Sequence, residues 1–141
     1  MDPAHALDEA ALPALLARFY ERVRRDDDLG PLFNDVVHDW DVHLERISDF
    51  WSSVILASGR YKGNPVVIHL MHAHRITSEM FERWLMLWEE TTSEMLPDAV
   101  AAAMQAKARR IADTLKVALR MRGAPLTNPV REPSPSVALP G

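Results

Sequence analysis

Two histidines occupy positions in which an imidazole can bind a metal. His43 lies within a helically spaced apolar stripe that runs from Trp40 to Val54, and His69 follows the turn Gly63-Asn64-Pro65. An unpaired imidazole among apolar side chains carries a desolvation cost unless a partner or a function compensates for it. Histidine is also a common axial ligand of haem iron. Two imidazoles on separate elements around a large apolar space therefore predict a haem pocket.

The composition limits which other chemistry is open to the chain. Its 141 residues suffice for one domain, which buries about 70% of the surface of its unfolded form. There is no cysteine, so disulfides, thiolate nucleophiles and thiolate metal sites are excluded, and histidine and carboxylates are the strong ligands that remain. The net charge of -4 argues against binding to nucleic acid or to a membrane surface.

The sequence contains no apolar run near the roughly 18 residues that a membrane-spanning helix needs. The segment from Met1 to His5 lacks the basic-then-apolar pattern of a secretory signal. We therefore expect a cytoplasmic protein.

Apolar residues recur at helical spacing along most of the chain and predict an all-α fold. A first helix carries the stripe from Leu12 to Val23 and ends near Asp26, and a turn follows at Leu29-Gly30-Pro31. Phe33 lies on a short segment after this turn. A second long helix is expected from Trp40 to Ala57.

The second half of the chain predicts three more helices. Pro65 opens a short helix that carries His69 and His72. Thr77 or Ser78 caps the next helix, which ends before Pro97. Its expected inner face comprises Phe81, Trp84, Leu85, Trp88, Thr92 and Met95. The last helix carries the stripe Val100, Met104, Ala108, Ile111, Leu115 and Leu119. Residues 1–122 are thus expected to form one domain, followed at 123–141 by a Pro-rich, disordered tail.

Several segments together give the chain a resemblance to a known family. They are Phe19–Asp26, Leu29–Phe33, Trp40–His43, Ile47–Trp51, Gly59–Gly63, Pro65 with His69, and Phe81–Trp88. In order and spacing they resemble the group III truncated haemoglobins over about residues 10 to 120. This resemblance implies a two-over-two helical sandwich, an abbreviated globin fold, around haem b.

The resemblance also implies which residue binds the iron. His69 lies four residues after Pro65, which matches the family's spacing for the proximal ligand. His72 is the alternative ligand, because the segment from His69 to Arg75 is about one residue longer than the family leads us to expect. The family's preference for proline-rich sequence after the proximal histidine is also not met.

On the other face of the haem, Tyr20, His43 and Trp84 resemble the family's polar distal set. A phenol hydroxyl and an indole N–H can donate charge-assisted hydrogen bonds to a diatomic ligand that gains negative charge. Such bonds would slow the release of dioxygen. His43 is interpreted either as a gate or as a further distal donor.

Two further sets of residues are expected around the cofactor. Apolar walls are assigned to Phe33, Ile47, Phe50, Trp51 and Trp88. Partners for the haem propionates are sought near the proximal segment, at Arg60, Tyr61, Lys62 and Arg75.

Other metal and phosphate sites fit the sequence poorly. A di-iron bundle needs paired Glu-x-x-His motifs, and the nearest matches, at Asp2 with His5 and Asp35 with His38, fall at a terminus and beside a turn. His69 and His72 have no carboxylate between them, unlike the His-Glu-x-x-His motif of zinc hydrolases. Nor is there a Gly-rich phosphate loop.

Two classes of function remain open at this point. The chain is either a binding protein for dioxygen or another diatomic ligand, including nitric oxide, carbon monoxide and cyanide, or an enzyme that removes nitric oxide or peroxide. It carries no flavin or nicotinamide domain, so a catalytic cycle would need an external reductase.

Overall fold

The computed structural model describes residues 7–121 and, of residues 67, 68 and 121, the backbone alone. Within this range the chain forms helices and no strand, which confirms the predicted all-α fold. The expected tail at 123–141 lies outside the described residues. We number the helices α1 to α6 in chain order, and two short 3-10 turns, Glu9–Ala11 and Ala73–Arg75, are left unnumbered.

Helix α1, Leu12–Arg25, buries one continuous apolar face. A proline in its first turn costs no internal hydrogen bond, because the first N–H groups of a helix have no internal partner. The buried side chains are those of Leu12, Leu15, Leu16, Phe19, Tyr20 and Val23. Their spacing of three and four residues is the reason that this segment packs as a helix.

The turn predicted at Leu29-Gly30-Pro31 is the beginning of helix α2, Gly30–Val36. Here the backbones of α1 and α2 approach closely. A Cβ atom added to Gly30 would lie 2.6 Å from the carbonyl oxygen of Arg24. Glycine is therefore required for steric reasons at this position.

Helix α3, Trp40–Leu56, begins where Asp39 accepts a hydrogen bond from the backbone N–H of Val42 at 3.2 Å. It ends at Ala57, which has a left-handed conformation with φ of 56°. The observed bounds agree with the predicted helix from Trp40 to Ala57 to within one residue. This helix carries His43 and the aromatic pair Phe50 and Trp51.

Helix α4, Pro65–Met71, is short and carries His69. Helix α5, Ser78–Met95, is capped by Thr77, whose hydroxyl accepts from the N–H of Met80 at 3.2 Å, and it ends before Pro97 as predicted. The expectation that Met95 lies on the inner face is wrong, since this residue is 42% exposed. Helix α6, Asp98–Met121, completes the described fold.

The most extensive contact between helices is that of α5 with α6, and α1 packs equally against α3 and α5. Helix α4 packs against α6. Two groups of buried residues result. One is centred on α1, α3 and α5, and the other joins Leu32 and Leu70 to Phe81 and the second half of α6. The site described next lies between these two groups.

Candidate functional site

A cavity of about 210 Å³ separates the two buried groups. Its walls are almost entirely apolar and come from every helix of the described fold. They are formed by Tyr20, Leu29, Leu32, Phe33, Val36, Val37, Ile47, Phe50, Trp51, Tyr61, Pro65, His69, His72, Ile76, Met80, Phe81, Trp84, Ile111, Ala112 and Leu115. Of the 14 residues that the sequence suggested for the haem site, nine lie in this wall: Tyr20, Phe33, Ile47, Phe50, Trp51, Tyr61, His69, His72 and Trp84.

His69 lines the cavity from α4, and its ring is oriented by the backbone. Its Nδ1 lies 2.6 Å from the carbonyl oxygen of Pro65, one turn earlier in the same helix. Burial lowers the pKa of His69, the hydrogen bond to Pro65 partly offsets this, and the charge of His72 adds to the lowering. A neutral imidazole that donates from Nδ1 keeps Nε2 available as a metal ligand.

His72 also lines the cavity, but it lies beyond the end of α4. Its pKa is lowered by burial and by the charges of His74 and Arg75. Among the described residues, no backbone acceptor orients the ring of His72 in the way that Pro65 orients the ring of His69, so the two candidate ligands differ in preorganisation.

Tyr20 and Trp84 bring polar atoms to the cavity from α1 and α5. Burial raises the pKa of Tyr20 to about 12, and a side-chain hydrogen bond with Trp84 acts in the opposite direction. The phenol is therefore protonated at neutral pH and can donate a hydrogen bond. Phe19 contacts both rings edge-on, at centroid distances of 4.8 Å to Tyr20 and 5.8 Å to Trp84.

His43 lies next to Tyr20 and does not itself line the cavity. Its ring is half-buried, and Nε2 is fully buried with no hydrogen-bond partner among the described residues. The ring stands edge-on to Tyr20 at 5.5 Å and to Trp40 at 5.3 Å. Burial lowers the pKa of His43, and the charge of Arg46 lowers it further. The imidazole is thus kept neutral.

Trp88, expected in the haem wall, packs behind the cavity. It is fully buried, and its indole N–H donates to the carbonyl oxygen of Met104 at 3.2 Å. Its ring is stacked between two rings that do line the cavity. The centroid distance is 4.7 Å to Trp51 and 6.1 Å to Trp84. Trp88 therefore supports the wall from the core side.

None of the three cations expected near the propionates lines the cavity. Arg60 forms an ion pair with Glu9 at 3.2 Å, and Arg75 forms one with Asp35 at 3.0 Å. Lys62 is exposed on the loop between α3 and α4.

Arg46 is a cation at this site that the sequence reasoning missed. Its positive charge lowers the pKa of both His43 and Tyr61. It is exposed and forms no ion pair within residues 7–121. Its position in α3, three residues after His43 and next to Ile47, could have indicated this role from the sequence.

Asp26 connects the helices that carry Tyr20 and Trp84. Its carboxylate accepts hydrogen bonds from the N–H groups of Asp28 and Leu29, both at 3.0 Å, and from Arg83 on α5. Burial by itself would raise the pKa of Asp26, but these hydrogen bonds and the charge of Arg83 outweigh it, so the pKa is lowered. Asp26, the buried residue of the acidic run, therefore links the end of α1 to the turn before α2 and to α5.

The donor set of the cavity fits a haem group. In the described part of the chain, no cluster of three or more histidine, cysteine, aspartate or glutamate side chains could hold a bare metal ion. An iron in this cavity would need a macrocycle for its other ligands, together with an oriented imidazole and apolar walls. His69 supplies the oriented imidazole, and the surrounding side chains supply the apolar walls. Residues 7–121 also contain no helix with the length and hydropathy to cross a membrane.

A small helical domain with one oriented histidine in a large apolar cavity has the features of a globin. No family model matches the chain. It is 33% identical over 110 residues to the group 3 truncated hemoglobin ctb of Campylobacter jejuni subsp. jejuni, a match that covers 75% of this chain and 86% of the relative.

The solved structures give the same result. The crystal structure of the group III truncated hemoglobin from Campylobacter jejuni superposes with a TM-score of 0.74 and 31% sequence identity, over 80% of this chain and 91% of that one. The chain belongs to the group III truncated haemoglobins. Its fold is the truncated globin fold, and membership of a globin family implies that it binds haem.

Proposed function

We propose that the cavity binds haem b through His69, and that dioxygen or another diatomic ligand binds next to Tyr20 and Trp84. The observation that carries this proposal is the arrangement of polar atoms in an apolar cavity. The imidazole of His69, oriented by Pro65, lies on α4, which contributes to the buried group that includes Leu70. The protonated phenol of Tyr20 lies on α1, which contributes to the buried group centred on α1, α3 and α5.

When bound, haem supplies an iron atom that takes a diatomic ligand reversibly. The protein groups set how strongly that ligand is held. The hydrogen bond from Nδ1 of His69 to Pro65 fixes the ring and increases the basicity of Nε2. The hydroxyl of Tyr20 and the indole N–H of Trp84 are the donors that can stabilise negative charge on the ligand.

The remaining residues exclude water and hold the edge of the cofactor. Phe33, Ile47, Phe50 and Trp51 provide apolar surface, with Trp88 behind them. We assign one haem carboxylate to Arg46, since Arg60 and Arg75 already have carboxylate partners.

The test is the absorption spectrum of the purified protein and of two variants. Wild-type protein should show a haem Soret band and a five-coordinate ferrous spectrum. His69→Ala should lose this spectrum, and added imidazole should restore it. His72→Ala is the matched control and should keep it. A colourless protein reconstituted with no gain in absorbance, or an unchanged spectrum in His69→Ala, would refute the assignment.

Oxidation of nitric oxide to nitrate by dioxygen is the second candidate function. The presence of two donors, Tyr20 and Trp84, favours it, because retained dioxygen suits this reaction better than it suits carriage. Each turnover consumes one electron, which an external reductase must supply. Stopped-flow mixing with nitric oxide, and the nitrate yield over many turnovers with a reductase, distinguish the two functions. The same spectra can be titrated with carbon monoxide, cyanide and peroxide.

A further inference from the structure

Three of the four tryptophans form one stack beside the cavity. Trp88 is the middle ring. Its centroid lies 4.7 Å from that of Trp51 at an interplanar angle of 14°, and 6.1 Å from that of Trp84 at 2°. Trp51 and Trp84 line the cavity, whereas Trp88 is fully buried behind them. We call these three residues the indole stack. Both of its outer rings face the site that we assign to haem.

The middle ring of the stack is suited to carry a positive charge. An indole can give up one electron without losing a proton, and it then becomes a radical cation. A cation within about 6 Å of an aromatic face is stabilised by that face, and Trp88 has such a face on either side. Its N–H also donates to the carbonyl oxygen of Met104 at 3.2 Å. These contacts oppose the cost of a buried charge, which spreading over several rings lowers further.

Two other rings near the cavity are less suited to this role. The guanidinium of Arg24 lies 4.5 Å from the ring centroid of Trp40, and its charge repels a second positive charge on that ring. A phenol loses its proton when it is oxidised, so it needs a base. The side-chain hydrogen bond of Tyr20 is with Trp84, whose indole can only donate. The geometry therefore favours the indole stack over both Trp40 and Tyr20.

We propose that the indole stack is a redox site that gives one electron to hydrogen peroxide at the haem and holds the resulting positive charge chiefly on Trp88. This inference rests on the proposed haem site and adds an activity that ligand binding does not require. Reduction of hydrogen peroxide breaks its O–O bond and forms two molecules of water, with uptake of two electrons and two protons. The haem iron gives one electron, the stack gives the other, and solvent supplies the protons.

An external one-electron donor completes the cycle by returning both electrons. Ascorbate and phenols belong to the suitable chemical class, because each molecule gives one electron together with one proton. Two donor molecules are thus consumed for each molecule of peroxide. Trp84 is the half-buried member of the indole stack, whereas Trp51 and Trp88 are buried. We therefore expect the stack to regain its electron through Trp84.

The first experiment identifies the oxidised side chain by electron paramagnetic resonance. Ferric holoprotein is mixed with one equivalent of hydrogen peroxide and frozen rapidly. The wild type should give a radical signal whose hyperfine structure narrows when the protein is produced with ring-deuterated tryptophan. Ring-deuterated tyrosine should leave the signal unchanged. A signal that responds to the labelled tyrosine alone would overturn the proposal.

Substitutions then compare an indole inside the stack with one outside it. Trp88→Phe keeps an aromatic ring in the core but removes the middle indole. It should lower the yield of tryptophan radical about tenfold, which lies within the roughly 30-fold factor that one desolvated cation–π contact corresponds to. Trp40→Phe is the matched control and should give the wild-type yield. Trp51→Phe removes an outer ring, should cause a smaller loss, and serves if Trp88→Phe does not fold. Equal yields in the wild type and the stack variants, or an equal loss in Trp40→Phe, would overturn the proposal.

The last measurement tests the return of the electron. Ascorbate added in a second mixing step should shorten the lifetime of the radical, and peptide mass spectrometry should find less oxidised tryptophan than without ascorbate. A lifetime that does not depend on ascorbate would overturn the cycle. Failure of the proposed function is seen separately, as the absence of a Soret band in the wild type. A normal Soret band without a tryptophan radical would overturn the redox site alone.

Discussion

Removal of the Tyr20 hydroxyl is the most informative single change in the proposed distal pocket. Tyr20→Phe keeps the ring and its edge-on contacts with Phe19 and His43. It deletes one donor in an apolar cavity, where a charge-assisted hydrogen bond contributes about 1–3 kcal/mol. Dioxygen release should therefore become about 5- to 150-fold faster. Carbon monoxide release should change far less, because this ligand accepts hydrogen bonds weakly.

The assay is stopped-flow replacement of dioxygen by carbon monoxide, with thermal unfolding measured in parallel. The melting temperature should fall, because the side-chain hydrogen bond between Tyr20 and Trp84 is lost, although every apolar contact remains. The pKa of Tyr20, which burial raises to about 12, allows a second test, the pH dependence of dioxygen release. Dioxygen release should show no transition from Tyr20 between pH 6 and pH 9. An unaltered release rate in Tyr20→Phe would refute the reasoning. So would tyrosinate absorbance below about pH 10 in a Tyr61→Phe background, in which Tyr20 is the remaining tyrosine.

Four further substitutions test the structure around the site. Asp26→Asn should lower the free energy of unfolding at pH 7 by about 1–3 kcal/mol, because it weakens the hydrogen bonds from Arg83 and from the backbone N–H groups of Asp28 and Leu29. The folded-state pKa of Asp26 lies below the model-compound value of 3.8, so its contribution is complete above that pH and is lost as the pH falls through the folded-state pKa. Urea unfolding of wild type and variant should thus converge in acid, and a constant difference would contradict this account. Gly30→Ala should cost about 1–3 kcal/mol, since its Cβ would lie 2.6 Å from a backbone oxygen. Gly59→Ala, with a φ of 73° but open space, should cost about 1 kcal/mol, and the reverse order in urea titrations would be inconsistent with the packing. Arg46→Gln should speed transfer of haem to an acceptor apoprotein about two- to fivefold, as for an exposed ion pair, and equal transfer rates would remove Arg46 from the cofactor contacts.

The helices were predictable because local spacing determines them. The stripe of α1, the Asp39 and Thr77 caps, and the end of α5 before Pro97 can each be derived from residues within a turn or two. The cavity is harder to predict from the sequence than the helices are. Apolar periodicity identifies the inner face of a helix but does not distinguish a cavity wall from a filled core. Trp84 and Trp88 are one turn apart on α5, yet the first lines the cavity and the second packs behind it.

The spacing of residues in the sequence did not reveal which charged side chains form ion pairs with one another. Arg60 and Arg75 lie near the proximal segment in sequence, but their carboxylate partners, Glu9 and Asp35, come from elements far away in the chain. The folded arrangement shows that these charges are already paired and that Arg46 has no ion-pair partner within residues 7–121. The pair between buried Asp26 and the partly exposed Arg83 was missed for the same reason, since 57 residues separate its members.

The stacked indoles give the protein a built-in optical reporter. Of its four tryptophans, Trp51 and Trp84 line the cavity and Trp88 lies between them, whereas Trp40 lies outside this stack beneath Arg24. A porphyrin absorbs where indole emits, so energy transfer should quench fluorescence when the cavity fills. Loading could then be followed on the unlabelled chain, and a Trp40→Phe variant would isolate the emission of the stack from that of the outer indole.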